Sequence, residues 1–207
     1  MALRIEKVVT SGTFSIDGED FDVDNNIWLV GDDDEVVIVD AAHDHEPIVA
    51  AVGGRRVVAI ACTHGHNDHI NAAVALADAV EAPILLHPAD TMLWEVVHPD
   101  RPVDGVLADG GEIRVAGTKL RIVHTPGHSP GGCCLLLQAE GVLFSGDTLF
   151  NGGPGATGRS FSSRDVIVTS IHDRLLPLPD ETVVHTGHGD DTTIGAEAPG
   201  ILAEVAG

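Results

Sequence analysis

The chain has 207 residues, 43% of them hydrophobic, which suits one globular domain over residues 1–207 with a core large enough to fold alone. Its formal charge of −21 repels phosphate, which argues against nucleic acid and anionic membrane surfaces as partners. No apolar run reaches transmembrane length and Met1 to Lys7 has no signal-peptide core, so a cytoplasmic protein is expected.

In chain order, the pattern predicts strands first, then alternating strands and helices, then strands again. Ile27 to Val30 and Glu35 to Asp40 read as a hairpin around Gly31-Asp32-Asp33-Asp34. Pro47 to Ala51 reads as a short helix ended by Gly53-Gly54. Val57 to Cys62 is a short buried strand, and the Ala-rich Asn71 to Val80 is helical. Pro83 to Leu86 is a strand and Ala89 to Val97 a helix. Asp109-Gly110-Gly111 marks a turn. Thr118 to His124, Cys133 to Gln138 and Gly141 to Phe144 read as strands. Asn151 to Arg159, rich in Gly and Pro, is a loop. Ser163 to Leu176 is a helix capped by Ser162 or Ser163, and Thr182 to His185 a last strand. Two sheets with helices outside, an α/β layered architecture, accommodate this order.

Lysine occurs only at Lys7 and Lys119, against nine arginines; with abundant Ala, Gly, Val and Asp this bias suggests a GC-rich genome. Three cysteines, Cys62, Cys133 and Cys134, do not make a disulfide framework and lie in apolar runs, so they are expected in the core. Twelve histidines stand out in a chain without tyrosine, because imidazole is the commonest metal ligand.

Chemistry concentrates in Thr63-His64-Gly65-His66-Asn67-Asp68-His69, between a buried strand and a helix. In an extended segment His64 and His66 project to one side, while Asp68 and His69 follow where the helix begins. The loop can therefore offer two pairs of donors to two nearby points. Three other strands end in a Gly-flanked donor: Ile122 to His128, Val142 to Asp147 and Val183 to His188. Sorted by chemistry, His64, His66 and His128 form one set and Asp68, His69 and His188 a second. Asp147 is the carboxylate able to bridge them. Imidazole with carboxylate suits zinc, iron or manganese. Two ions about 3.5–4 Å apart would hold a hydroxide and clamp the scissile group.

These segments resemble the metallo-β-lactamase-fold hydrolases. THGHNDH fits their HxHxDH motif, and His128, Asp147 and His188 follow in the family's order, so the resemblance spans about Ile27 to His188. It implies a four-layer αβ/βα sandwich of two mixed sheets, with two divalent metals, zinc first and iron or manganese as alternatives, at one edge. Asp40, ending VVIVD, matches a recurrent family Asp that supports the site. HTPGHSPGG, SGDTLF and His87-Pro88-Ala89-Asp90 with Leu93-Trp94 look most like glyoxalase II and related thioesterases. The chain departs from full-length glyoxalase II in lacking its helical C-terminal domain and all tyrosine contacts, which puts glutathione in doubt as the carrier. GGPGATGRS and HTGHGDDTTIGAE look like actinobacterial members, for which mycothiol would be the carrier thiol.

The resemblance implies a thioesterase in which a metal-bound hydroxide attacks the carbonyl and Asp68 binds one metal and orients the nucleophile. A thiolate of pKa about 8.5 leaves without a strong general acid. Arg159 is a candidate contact for a substrate carboxylate, with an internal salt bridge as the alternative. His43 and His45 read as a surface loop or the mouth of the site, His124 and His185 as packing, and His98 and His172 as surface residues. The competing reading is a persulfide dioxygenase with one iron on His64, His128 and Asp147, against which the complete second set argues. A lactonase or other ester hydrolase on the same fold is the other alternative.

Overall fold

The computed structural model describes residues 2–206. A long antiparallel hairpin, β1 (Arg4–Ile16) and β2 (Glu19–Gly31), starts the chain. Its tip is Asp17-Gly18, both at positive φ, the conformation an Asp-Gly hairpin turn favours. The end of β2 pairs antiparallel with β3 (Glu35–Val39), as expected from the Ile27–Asp40 pattern. Then β4 (Arg56–Ala61), β5 (Ile84–Leu86) and β6 (Gly105–Val106) add in parallel, completing one six-stranded sheet in the order β1-β2-β3-β4-β5-β6. Helices α1 (Glu46–Val52), α2 (Asn67–Ile70), α3 (Ala73–Val80) and α4 (Thr91–Val97) lie between these strands in the chain.

The second sheet begins as an antiparallel run of β7 (Glu112–Val115), β8 (Thr118–His124), β9 (Cys133–Leu137) and β10 (Val142–Gly146). A small ribbon, β11 (Leu149–Phe150) with β12 (Gly153–Pro154), occupies the stretch read as a loop. Helix α5 (Arg164–Ser170) continues as a wider π turn through Leu175. The last strands, β13 (Val183–Thr186) and β14 (Thr192–Thr193), complete the sheet in the order β14-β13-β10-β9-β8-β7. Helix α6 (Ile194–Ala206) follows.

Strand alternation distributes the core into three layers of contact. Ile27, Leu29, Val36 and Ile38 pack outward against Ile48, Leu76 and Trp94 of α1, α3 and α4. Their neighbours Trp28, Val30, Val37 and Val39 pack inward against Ile122, Leu135, Leu137 and Phe144 of the second sheet. Cys134, Leu136 and Leu143 face Ile167, Ile171, Ile194 and Ile201 on the far side. The result is the expected four-layer sandwich of two mixed sheets with helices outside. All three cysteines are free and buried.

Besides the short strands β6, β7, β11, β12 and β14, two longer elements depart from the expectation. Residues 4–26 form most of the opening hairpin, which the expected elements omit; its outer part alternates exposed polar residues with Phe14, Ile16, Phe21 and Val23, which share one face. Helix α6 contains Gly195, Pro199 and Gly200, all helix breakers by propensity; burial of Ile194 and Ile201 against the second sheet overrides them. No helix of the described residues is long and apolar enough to cross a membrane.

Candidate metal centre

Each donor segment leaves the C-terminal end of a strand, and both sheets contribute. β4 delivers His64 to His69, β8 leads to His128, β10 ends at Asp147, and β13 leads to His188. Rigid strands thus fix where four separate turns converge.

Two glycines are required by contact. A Cβ on Gly65 would lie 2.8 Å from Leu93 Cβ and 3.0 Å from Asp90 Cβ, so the loop can sit on α4 only as glycine. A Cβ on Gly187 would lie 2.8 Å from His69 Cε1 and against the Asp147 carboxylate. The expectation that glycine lets backbone approach the donors closely has this concrete form.

Donor atoms fall into three overlapping groups, each with all atoms within 4.8 Å of one another: His64, His66, His128; His64, His69, Asp147; and Asp68, His69, His188. His66 Nδ1 lies 3.1 Å from His64 Nε2 and 2.9 Å from His128 Nε2. His69 Nε2 lies 3.1 Å from His188 Nε2, 3.2 Å from Asp147 Oδ1 and 3.5 Å from Asp68 Oδ2. Asp147 also lies 3.5 Å from His128 and 3.4 Å from His188, so it touches both sets. All seven residues singled out as donors therefore meet. Arg159 does not join them: its guanidinium pairs with Glu19 and lies over the Phe21 ring, 5.5 Å from the centroid.

The second nitrogen of four imidazoles is tied down. Nδ1 of His64 contacts Thr63 Oγ1 at 3.1 Å and that of His69 contacts Asp40 Oδ2 at 2.9 Å. Nδ1 of His128 donates to the Ala156 carbonyl and that of His188 to the Asp24 carbonyl, at 2.8 and 2.7 Å. With a proton fixed on Nδ1, each of these imidazoles, when neutral, directs its Nε2 lone pair at the cluster. Unprotonated nitrogens at such separations repel unless a cation lies between them. Asp147 Oδ1 is also buried without a hydrogen-bond donor, which is costly for a carboxylate oxygen. Both observations fit divalent ions: His64, His66 and His128 can hold one, Asp68, His69 and His188 another, and Asp147 reaches either.

Electrostatics without metal point the same way. Burial, reinforced by His128, pushes His66 down to about 3, so it is neutral and free to donate its lone pair. Burial also opposes charge on His188, but Asp147 and Asp68 outweigh it and raise it to about 10. His69 is raised for the same reason, with Asp40 adding to those two, and Asp147 is held well below the usual carboxylate range, chiefly by His69 against its own burial. The metal-free centre thus retains protons that a bound cation displaces.

Supporting residues emerge that residue type alone does not reveal. Asp40, at φ 63°, accepts from Thr63 N at 2.7 Å, Thr63 Oγ1 at 2.9 Å and His69 Nδ1. Asp90 accepts from Gly65 N at 2.8 Å, Ser129 Oγ at 2.7 Å and Gly131 N at 2.5 Å, joining the His64–His66 loop to the His128 loop. Asn25 donates to Asp68 Oδ2 at 3.1 Å and accepts from His43 Nε2 at 2.8 Å. Both Asp90 and Asn25 are fully buried polar residues. Of the other histidines, His124 stacks on His87 and His185 on Trp28, while His98 bonds the Ile70 carbonyl.

Asp40→Asn tests the support of His69. The new amide turns a donor toward His69 Nδ1, which favours the tautomer with its proton on Nε2, where the cluster needs a lone pair. Metal affinity should fall about 10–100-fold. A competitive chelator titration measures it, and unchanged affinity would contradict the tautomer argument.

An α/β sandwich with a His/Asp cluster at one sheet edge defines a metal-binding protein of a recognisable class. The family model described as "Metallo-beta-lactamase superfamily" matches residues 21–188, and the chain belongs to that superfamily. Among relatives, "Probable metallo-hydrolase YqgX" of Bacillus subtilis is 32% identical over 186 residues, covering 83% of this chain and 88% of the relative. "Hydroxyacylglutathione hydrolase GloC" of Haemophilus influenzae is 31% identical over 189 residues, covering 83% and 89%. Among solved structures, BLEG-1 B3 metallo-beta-lactamase superposes with a TM-score of 0.78 at 30% identity, covering 92% of this chain and 97% of the other. TTHA1623 in a di-iron-bound form gives 0.76 at 32%, covering 91% and 96%.

Proposed function

We propose that this chain is a two-metal thioester hydrolase. The observation that carries the reading is the complete second donor set, Asp68, His69 and His188, beside His64, His66 and His128, with Asp147 in reach of both. Two bound ions would supply an acidified water and a Lewis acid for the carbonyl oxygen. Zinc is the first candidate, and the same imidazole and carboxylate donors suit iron or manganese. Similarity to a relative named a hydroxyacylglutathione hydrolase and to a structure with two irons supports the class of reaction and the metal count.

The chain's own residues have defined work. Asp68, aimed by the Asn25 amide, orients the attacking water. Strand-end placement holds the donors before substrate arrives, so little reorganisation is needed. A thiolate leaves unaided near neutral pH, consistent with a centre whose carboxylates all face imidazoles. The substrate is a small molecule and the setting cytoplasmic, with the whole of residues 1–207 acting as one domain.

The test is metal-loaded protein assayed against S-lactoyl and S-formyl conjugates of glutathione, mycothiol and coenzyme A, with metal content measured in parallel. Hydrolysis with two metals per chain is expected. One iron per chain with stoichiometric oxygen uptake on a thiol persulfide would overturn the reading in favour of a dioxygenase. Metal loading without turnover on any thioester would remove the thioesterase assignment.

A further inference from the structure

A cleft of about 210 Å³ opens beside the centre, bounded by the hairpin tip, α4, the Gly65–Asn67 loop and the 160–161 loop. His66 borders both cleft and cluster: its Nδ1 faces His64 and His128, and its ring packs against Phe14 at 5.3 Å. We propose that this cleft receives the acyl part of the substrate and selects an uncharged aliphatic chain of a few carbons. The proposal rests on the thioesterase reading and adds the substrate class.

Four observations support it. The walls are Ile16, Leu93, Val96, Val97 and Phe161, and Val96 and Phe161 are 82% and 57% exposed, so the cleft presents apolar side chains to solvent beside a polar centre. Apart from His66, whose Nε2 is buried without a hydrogen-bond partner, the polar side chains at the rim have partners within the chain. Asn67 accepts from Ser15 N and donates to the Thr13 carbonyl, and Ser15 Oγ donates to Asp20. Asp17 accepts from Ser160, whose hydroxyl and backbone N–H hold it below the usual carboxylate range, so it stays anionic and disfavours an acidic acyl group. Among the lining residues no lysine or arginine offers a counter-charge.

The third observation is that the wall is built in place. Phe161 has φ 67°, a conformation disfavoured for an aromatic residue. The loop before it is pinned by Ser162 Oγ, which accepts from Gly158 N and Arg159 N at 2.9 and 3.1 Å. Arg159, paired with Glu19, ties the same loop to the hairpin. Fourth, the volume lies below the roughly 300 Å³ at which whole small-molecule sites begin, so the cleft suits one part of a substrate.

The test uses thioesters of a neutral carrier, N-acetylcysteamine, with acetyl, butyryl, hexanoyl, lactoyl and succinyl groups, and the matching non-hydrolysable S-alkyl thioethers in a binding assay. kcat/KM should rise about four-fold per methylene from acetyl to hexanoyl, and thioether affinity should climb with the same slope. Succinyl should fall roughly ten-fold below butyryl. Phe161→Ala and Leu93→Ser should flatten both slopes, and Phe161→Leu should restore them. A flat affinity series, or lactoyl preferred over butyryl, overturns the proposal. If thioethers bind with the expected slope and no thioester turns over, the cleft stands and the thioesterase reading falls.

Discussion

Asp147→Asn is expected to lower kcat/KM on the order of 10³-fold and to reduce bound metal below two per chain. The carboxylate lies within 3.5 Å of donors from both sets: His69, His128 and His188. An amide keeps the shape but removes the charge that two bound cations would share. Loss of Lewis-acid stabilisation is worth several kcal/mol, and each 1.36 kcal/mol is ten-fold in rate. Elemental analysis and steady-state kinetics measure the two effects, with circular dichroism to check folding. A variant that keeps two metals and activity within ten-fold of the parent would show that Asp147 does not bridge.

Asp90→Ala should have the second-largest effect, and it acts first on stability. The carboxylate is fully buried and accepts three hydrogen bonds, from Gly65 N, Ser129 Oγ and Gly131 N. Truncation strands three donors, each costing about 1–3 kcal/mol, so unfolding free energy should fall by about 3 kcal/mol or more. Loss of the link between the two loops also frees His64 and His66 to drift from His128. Urea unfolding with and without metal separates the terms. The metal-loaded protein should lose more stability than the metal-free one, because weakened binding adds to the lost bonds. A loss under about 1 kcal/mol would sink the clamp role.

Local chemistry made the donors legible, whereas their supports depend on partners distant in sequence. HxHxDH places four donors within six residues, and each later donor follows a short apolar strand, so type and spacing suffice to find them. Asp90 is one aspartate in a chain with 32 acidic residues, and nothing in its neighbourhood says that it accepts from Gly131, 41 positions on. Asn25 lies in the polar run Asp24-Asn25-Asn26 of the opening hairpin, which gives no hint that it meets Asp68 43 positions away. Arg159 reads equally as a substrate contact or an internal salt bridge, because its partner Glu19 lies 140 positions away.

By itself, the sequence determined the donor chemistry, the strand-end placement and the layered α/β class, because these follow from residue type and short-range periodicity. Tertiary structure decided which imidazole nitrogen faces the cluster, since that depends on acceptors such as Asp40, Ala156 and Asp24 brought in by other elements. It also decided that apolar side chains from α4, the hairpin and the 160–161 loop meet beside His66, because no local rule encodes where three distant segments pack.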